Sequence, residues 1–115
     1  MRVVLDTNII VSSFLVALGA PARIVALWRA GLFELAVSPA LLAEYEEVLG
    51  YERVSRRHRM SRERIAAEVA DIAQFSTLVE PQSVPAVIPA DPDDDHVVAC
   101  AVAGGAGYIV SGDPH

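Results

Sequence analysis

Short β-branched apolar runs alternate with helix-length segments along this chain, and that alternation constrains its fold more than any other feature. Arg2-Val3-Val4-Leu5 reads as a buried strand. A helix is expected from about residue 8 to 18, ended by Gly19, and a second from Pro21 to Ala30, stopped at Gly31. Phe33 to Val37 reads as the next strand. Ser38-Pro39 has the form of a helix cap followed by proline in the first turn, with Gly50 closing that helix. The arginine-rich segment that follows reads as an exposed connection, after which Ser61 caps a helix from Arg62 to about Phe75. A third strand is expected near Thr77–Val79. Four prolines between residues 81 and 92 predict a loop. Asp91-Pro92 then begins a helix that Gly104-Gly105 ends, and Tyr108-Ile109-Val110 is the last strand. Strands alternating with helices predict an α/β fold with a parallel sheet covered on both faces, in one domain over residues 1–115.

In such sheets ligands bind beyond the carboxyl ends of the strands. Asp6 follows the first strand directly, and Asp113 follows the last after Ser111-Gly112, so both carboxylates are expected at one edge. In the helix after Pro92, Val97, Val98, Ala101 and Val102 form one stripe, and Asp94 falls within roughly 10° of its centre. A carboxylate on a core-facing stripe is costly unless it is paired, hydrogen-bonded or bound to metal. Asp93 and Asp95 lie to either side and serve the helix dipole and solvent; Asp94 with Asp91 also resembles a capping pair. In the helix after Pro39, Glu44 sits at the edge of the stripe formed by Leu41, Leu42, Tyr45, Val48 and Leu49. Geometry alone does not separate it from an ordinary solvated glutamate. Converging carboxylates repel one another unless a cation neutralises them, and oxygen donors with few histidines favour magnesium or manganese over zinc. Such a site suits hydrolysis of a phosphodiester backbone.

Composition narrows the chemistry further. All 9 basic residues are arginines, against 15 acids, and lysine is absent. That removes P-loop, Schiff-base and other lysine-dependent mechanisms. Six of the arginines (53, 56, 57, 59, 62 and 64) stand within residues 53–64 beside one acid, Glu63, so a basic patch adjoins an acidic body. Arg53, Arg56, Arg57 and Arg59 are candidates for contact with RNA phosphates or an acidic partner, or form a solvated loop. His58 and His96 are expected to be exposed. The single Cys100, in an apolar stretch, reads as a packed position in a protein of a reducing compartment. Asp6 and Asn8 interrupt what would otherwise imitate a signal peptide, and no apolar run approaches the roughly 18 residues of a membrane helix. A soluble, cytoplasmic protein without a membrane partner is the expectation.

Val4-Leu5-Asp6-Thr7-Asn8, Ser38-Pro39 leading to Glu44, Asp91-Pro92-Asp93-Asp94 before an alanine-rich helix, and Tyr108-Ile-Val-Ser-Gly-Asp113 stand in an order that resembles PIN-domain proteins. The likeness is strongest to the VapC-like toxins of toxin–antitoxin systems and covers nearly the whole chain. The resemblance implies a three-layer α/β/α sandwich and an endoribonuclease dependent on Mg2+ or Mn2+. By position, Asp6, Glu44, Asp94 and Asp113 resemble the acids around the metal. Thr7 or Asn8 resembles the residue that holds the first aspartate in place. Ser12 and Ser111 are further supporting candidates, or else a helix-surface hydroxyl and a turn residue. RNA as substrate, a cognate antitoxin and a homodimer are implied as partners. Family members normally continue past the Gly-Asp motif into a last edge strand, whereas this sequence stops at His115, so that strand is expected to be missing or completed by another subunit.

Two other classes compete. A haloacid-dehalogenase-like phosphatase also begins with strand–Asp, but it needs a second aspartate where Asn8 stands and a lysine that is absent here. A catalytically silent module that binds a partner through the same fold is the non-enzymatic alternative.

Overall fold

The computed structural model describes residues 2–79 and the backbone of a strand at 108–110. In chain order the elements are β1 (Arg2–Leu5), α1 (Thr7–Leu15), α2 (Ala20–Arg29), β2 (Glu34–Val37), α3 (Pro39–Leu49), α4 (Glu52–His58), α5 (Arg62–Gln74), β3 (Thr77–Leu78) and β4 (Tyr108–Val110). The four strands form one sheet in the order β3-β2-β1-β4, with every pairing parallel. Val3, Val4 and Leu5 are all buried, as are Leu35, Ala36 and Val37. Successive strand residues face opposite sides, so unbroken burial means that both faces of the two inner strands are covered. This is the α/β sandwich expected from the alternation of elements. The loop at 81–92, the helix after Pro92 and everything past Val110 lie outside the described residues, and with them Cys100 and His96.

Local signals set most boundaries. The Ser38 hydroxyl accepts a hydrogen bond from the Leu41 N–H (3.1 Å), and Pro39 occupies the first turn of α3, where its missing N–H costs nothing. Ser61 caps α5 in the same way, accepting from Arg64 N–H at 3.0 Å. Gly31 ends the turn after α2 with φ +85°, a conformation that a side chain would strain. Because Ser38 is only 1% exposed, Ser38→Ala leaves a buried N–H without its acceptor. It is expected to destabilise the protein by about 1–2 kcal/mol, read as a lower urea midpoint at unchanged slope.

Three expectations are corrected. The first helix runs from Thr7 to Leu15, not on to Leu18: Val16 is already extended (φ −129°, ψ 106°) and Leu18 is 88% exposed. The apolar pattern continues there, but the stripe that packs ends at Leu15. The arginine segment is not a mere connection, since residues 52–58 form α4. Buried Val54 anchors it, Glu52 sits in its first turn and Arg56, Arg57 and His58 in its last, matching the helix dipole at both ends. His58 is half-buried rather than on the surface. Its Nδ1 accepts from the Met60 N–H (2.9 Å), so Nε2 carries the proton and donates to the Leu49 carbonyl (2.7 Å). The imidazole thereby satisfies a terminal carbonyl of α3 and joins that helix to the end of α4.

Candidate active site at the carboxyl edge of the sheet

The strand order creates the site. From β1 the chain adds β2 and then β3 on one side, and β4 joins on the other, so the direction of winding reverses between β1 and β4. A crevice opens at such a switch point, beyond the carboxyl ends of the two strands. The register is Val3 to Tyr108, Val4 to Ile109 and Leu5 to Val110, so both strands finish at the same level. Asp6 follows β1 at that edge, and β4 ends beside it at Val110. Arg2 and Glu34, which pair at 3.2 Å, mark the opposite edge.

Asp6 is the N-cap residue of α1. It caps through its backbone, its carbonyl accepting from Ile9 N–H (3.0 Å) and Ile10 N–H (3.3 Å), while its carboxylate makes no capping bond. The half-buried side chain therefore stands at the positive end of α1, where negative charge is favoured.

Consecutive residues of α3 grip the chain on either side of Asp6. Tyr45 donates its hydroxyl to the Leu5 carbonyl (2.6 Å), and the Thr7 hydroxyl donates to Glu44 Oε2. Leu5 and Thr7 are the two neighbours of Asp6, so the pair of contacts fixes α3 against the strand–helix junction and brings Glu44 to it. The Glu44 side chain is half-buried, with its Oε1 sealed from solvent. Holding a carboxylate there is costly unless charge of the opposite sign or hydrogen bonds compensate it.

Among the expected site residues, Asp6, Glu44 and Thr7 are thus assembled at one place. The contact of the Thr7 hydroxyl runs to Glu44, whereas the Asn8 side chain is exposed and Ser12 is half-buried along α1. Asp94, Ser111 and Asp113 lie outside the described residues. Arg53, Arg56, Arg57 and Arg59 are exposed around α4. Periodicity places Tyr45 only on the apolar stripe and misses its second role. The signal that could have revealed it is general: a tyrosine on a buried stripe must bring its hydroxyl to a partner. A cavity of about 410 Å³ lies elsewhere, between α3 and the start of α5 and lined by Glu46, Glu47, Tyr51 and Arg62 among others. It is separate from the sheet edge at which Asp6 and Glu44 stand.

The donor type suits a hard divalent cation, since Asp6 and Glu44 offer carboxylate oxygens. Among the described residues no three His, Cys, Asp or Glu side chains converge to complete a metal site. Asp6 and Glu44 are the two expected ligands that lie among the described residues, and Asp94 and Asp113 lie outside them.

No curated protein and no solved structure matches the chain. A family model, described as PIN domain, matches residues 2–115. PIN domains are generally nuclease folds and typically use divalent metal ions. With the switch point, the aspartate at the end of β1 and the glutamate of α3 in place, the match over nearly its whole length establishes that this chain belongs to the PIN domain family.

Proposed function

We propose that the protein is a metal-dependent endoribonuclease, using Mg2+ or Mn2+, and the toxin of a toxin–antitoxin pair. The observation that carries this reading is the grip of Glu44 and Tyr45 on the two neighbours of Asp6, which joins two acids from distant parts of the sequence at the switch point of the sheet. In this reading Asp6, Glu44, Asp94 and Asp113 hold the ion, and Thr7 orients the Glu44 carboxylate toward it. A bound cation would lower the pKa of a water and neutralise charge on the phosphate under attack. The side chains do the positioning. Thr7 and Tyr45 keep the two acids at fixed places, so that little reorganisation is needed when the phosphodiester arrives. Water adds to phosphorus, one P–O ester bond breaks, and the leaving oxygen takes up a proton. Membership of the PIN family leaves no place for the phosphatase alternative.

The same reading makes RNA the substrate, a cognate antitoxin the inhibitor, a homodimer the assembled form and the cytoplasm the place of action. Purified protein incubated with end-labelled RNA is expected to give internal cuts with Mn2+ or Mg2+ and none with EDTA. An intact fold that cuts no RNA with either ion overturns the proposal, and a silent binding module then becomes the better account.

A further inference from the structure

The arginines around α4 are not used by the cleavage chemistry, and the structure divides them into two sets. Arg56 pairs with Glu52, and Arg64 pairs with Glu68, each one helical turn away. Arg53, Arg57 and Arg59, like Arg62 at the start of α5, are exposed and have no ion pair among the described residues. Two features of this second set run against local stability. Arg53 and Arg57 are like charges spaced i, i+4, which opposes helix formation. Arg59 ends α4 at φ 58°, in the left-handed region where glycine or asparagine is least strained. Arg53 and Arg57 thus stand one turn apart on α4 and Arg59 at its end, despite backbone and charge preferences that oppose them.

Their position relative to the acids matters equally. α4 packs against α1 and α3, the helices that carry Thr7 and Glu44. The His58–Leu49 bond pins the end of α4 to the end of α3, five residues past Glu44, or about 7.5 Å of helix rise. A chain of net charge −6 repels a polyanion overall, so holding one near the acids requires a local basic face. We propose that Arg53, Arg57 and Arg59 form a phosphate-binding face that holds the RNA backbone beside the acidic site. The choice of RNA rests on reading Asp6 and Glu44 as part of a nuclease site. Arginine forks bind paired phosphate oxygens, and with few aromatics in the chain (6%) the recognition is of backbone rather than of stacked bases.

The test measures binding of the 115-residue chain to a short labelled single-stranded RNA in EDTA, so that cleavage plays no part. The variant R53Q/R57Q/R59N is expected to bind at least about tenfold more weakly near physiological salt. Its plot of log affinity against log salt should be shallower by about 2, at roughly 0.7 for each phosphate no longer neutralised. R53K/R57K, which keeps the charge, should retain the slope, and R23Q, on α2, should match the wild type. If the triple variant fails to fold by circular dichroism, R57Q alone decides, with an expected slope change of about 0.7. Wild-type affinity and slope in the neutralised variant overturn the proposal, as does a wild type that binds no RNA. Tighter binding of polyglutamate, abolished in the same variants, overturns it in favour of an acidic protein partner. RNA binding that depends on the three arginines, in a protein that cuts nothing with any ion, upholds this face and removes the nuclease reading.

Discussion

Asp6→Asn and Glu44→Gln are each expected to lower RNA cleavage by at least about 100-fold while leaving the protein folded. Both changes keep the size of the side chain and remove its charge, so α1 still starts at residue 7 and α3 still packs on the end of β1. What they remove is a hard oxygen donor. Loss of a residue that merely supports a metal ligand costs about 10–100-fold in affinity or activity, and loss of the ligand itself should reach or exceed the upper figure. A second readout separates lost metal from lost chemistry. Mn2+ at about 100 times its Kd should stabilise the wild-type protein by about 2.7 kcal/mol, seen as a higher melting temperature. That shift should shrink in both variants, because a ligand stabilises only the state that binds it. A full metal-induced shift in Asp6→Asn, together with undiminished cleavage, would remove Asp6 from the site.

Tyr45 is where the largest loss of stability is expected. Its ring is completely buried (0% exposed) in the core between α3 and the sheet, and its hydroxyl bonds the last carbonyl of β1. Tyr45→Ala deletes a large buried aromatic and leaves a cavity, at a cost of about 3–5 kcal/mol, a large fraction of the stability of a domain this size. Tyr45→Phe keeps the packing and removes only the hydroxyl, so about 1–2 kcal/mol is expected from urea denaturation. The pair therefore separates packing from hydrogen bonding. Because Leu5 immediately precedes Asp6, the phenylalanine variant should also cut RNA more slowly than its stability predicts, with lower kcat rather than higher KM. If Tyr45→Phe is as stable and as active as the wild type, the bond to Leu5 does not position the site.

The parts of this fold that are legible in the sequence are those specified within one turn of chain. The strand at Arg2–Leu5, the Ser38 cap with Pro39, the Ser61 cap and the last strand at Tyr108–Val110 all lie where local chemistry puts them. Their signals, β-branching, a hydroxyl positioned to accept an N–H and a proline that needs no donor, act between near neighbours. Local patterns mislead where a distant contact decides. Helix α4 is obscured by its arginines because it buries one residue, Val54, and packs against α1 and α3. His58 reads as a surface residue among cations, yet the end of α3 draws its ring inward. Leu18 continues the apolar pattern of α1 but stands exposed.

For the site itself the division is similar. The sequence alone determined that an aspartate follows the first strand, that the sheet is parallel, and therefore at which end of the strands that carboxylate emerges; strand polarity and right-handed crossovers leave few other choices. It could place Glu44 only at the edge of a helical stripe, since periodicity gives a direction around a helix and not the neighbour found there. Tertiary packing decided that neighbour. Thr7 and Glu44 stand thirty-seven residues apart in the chain and meet only because α1 packs against α3.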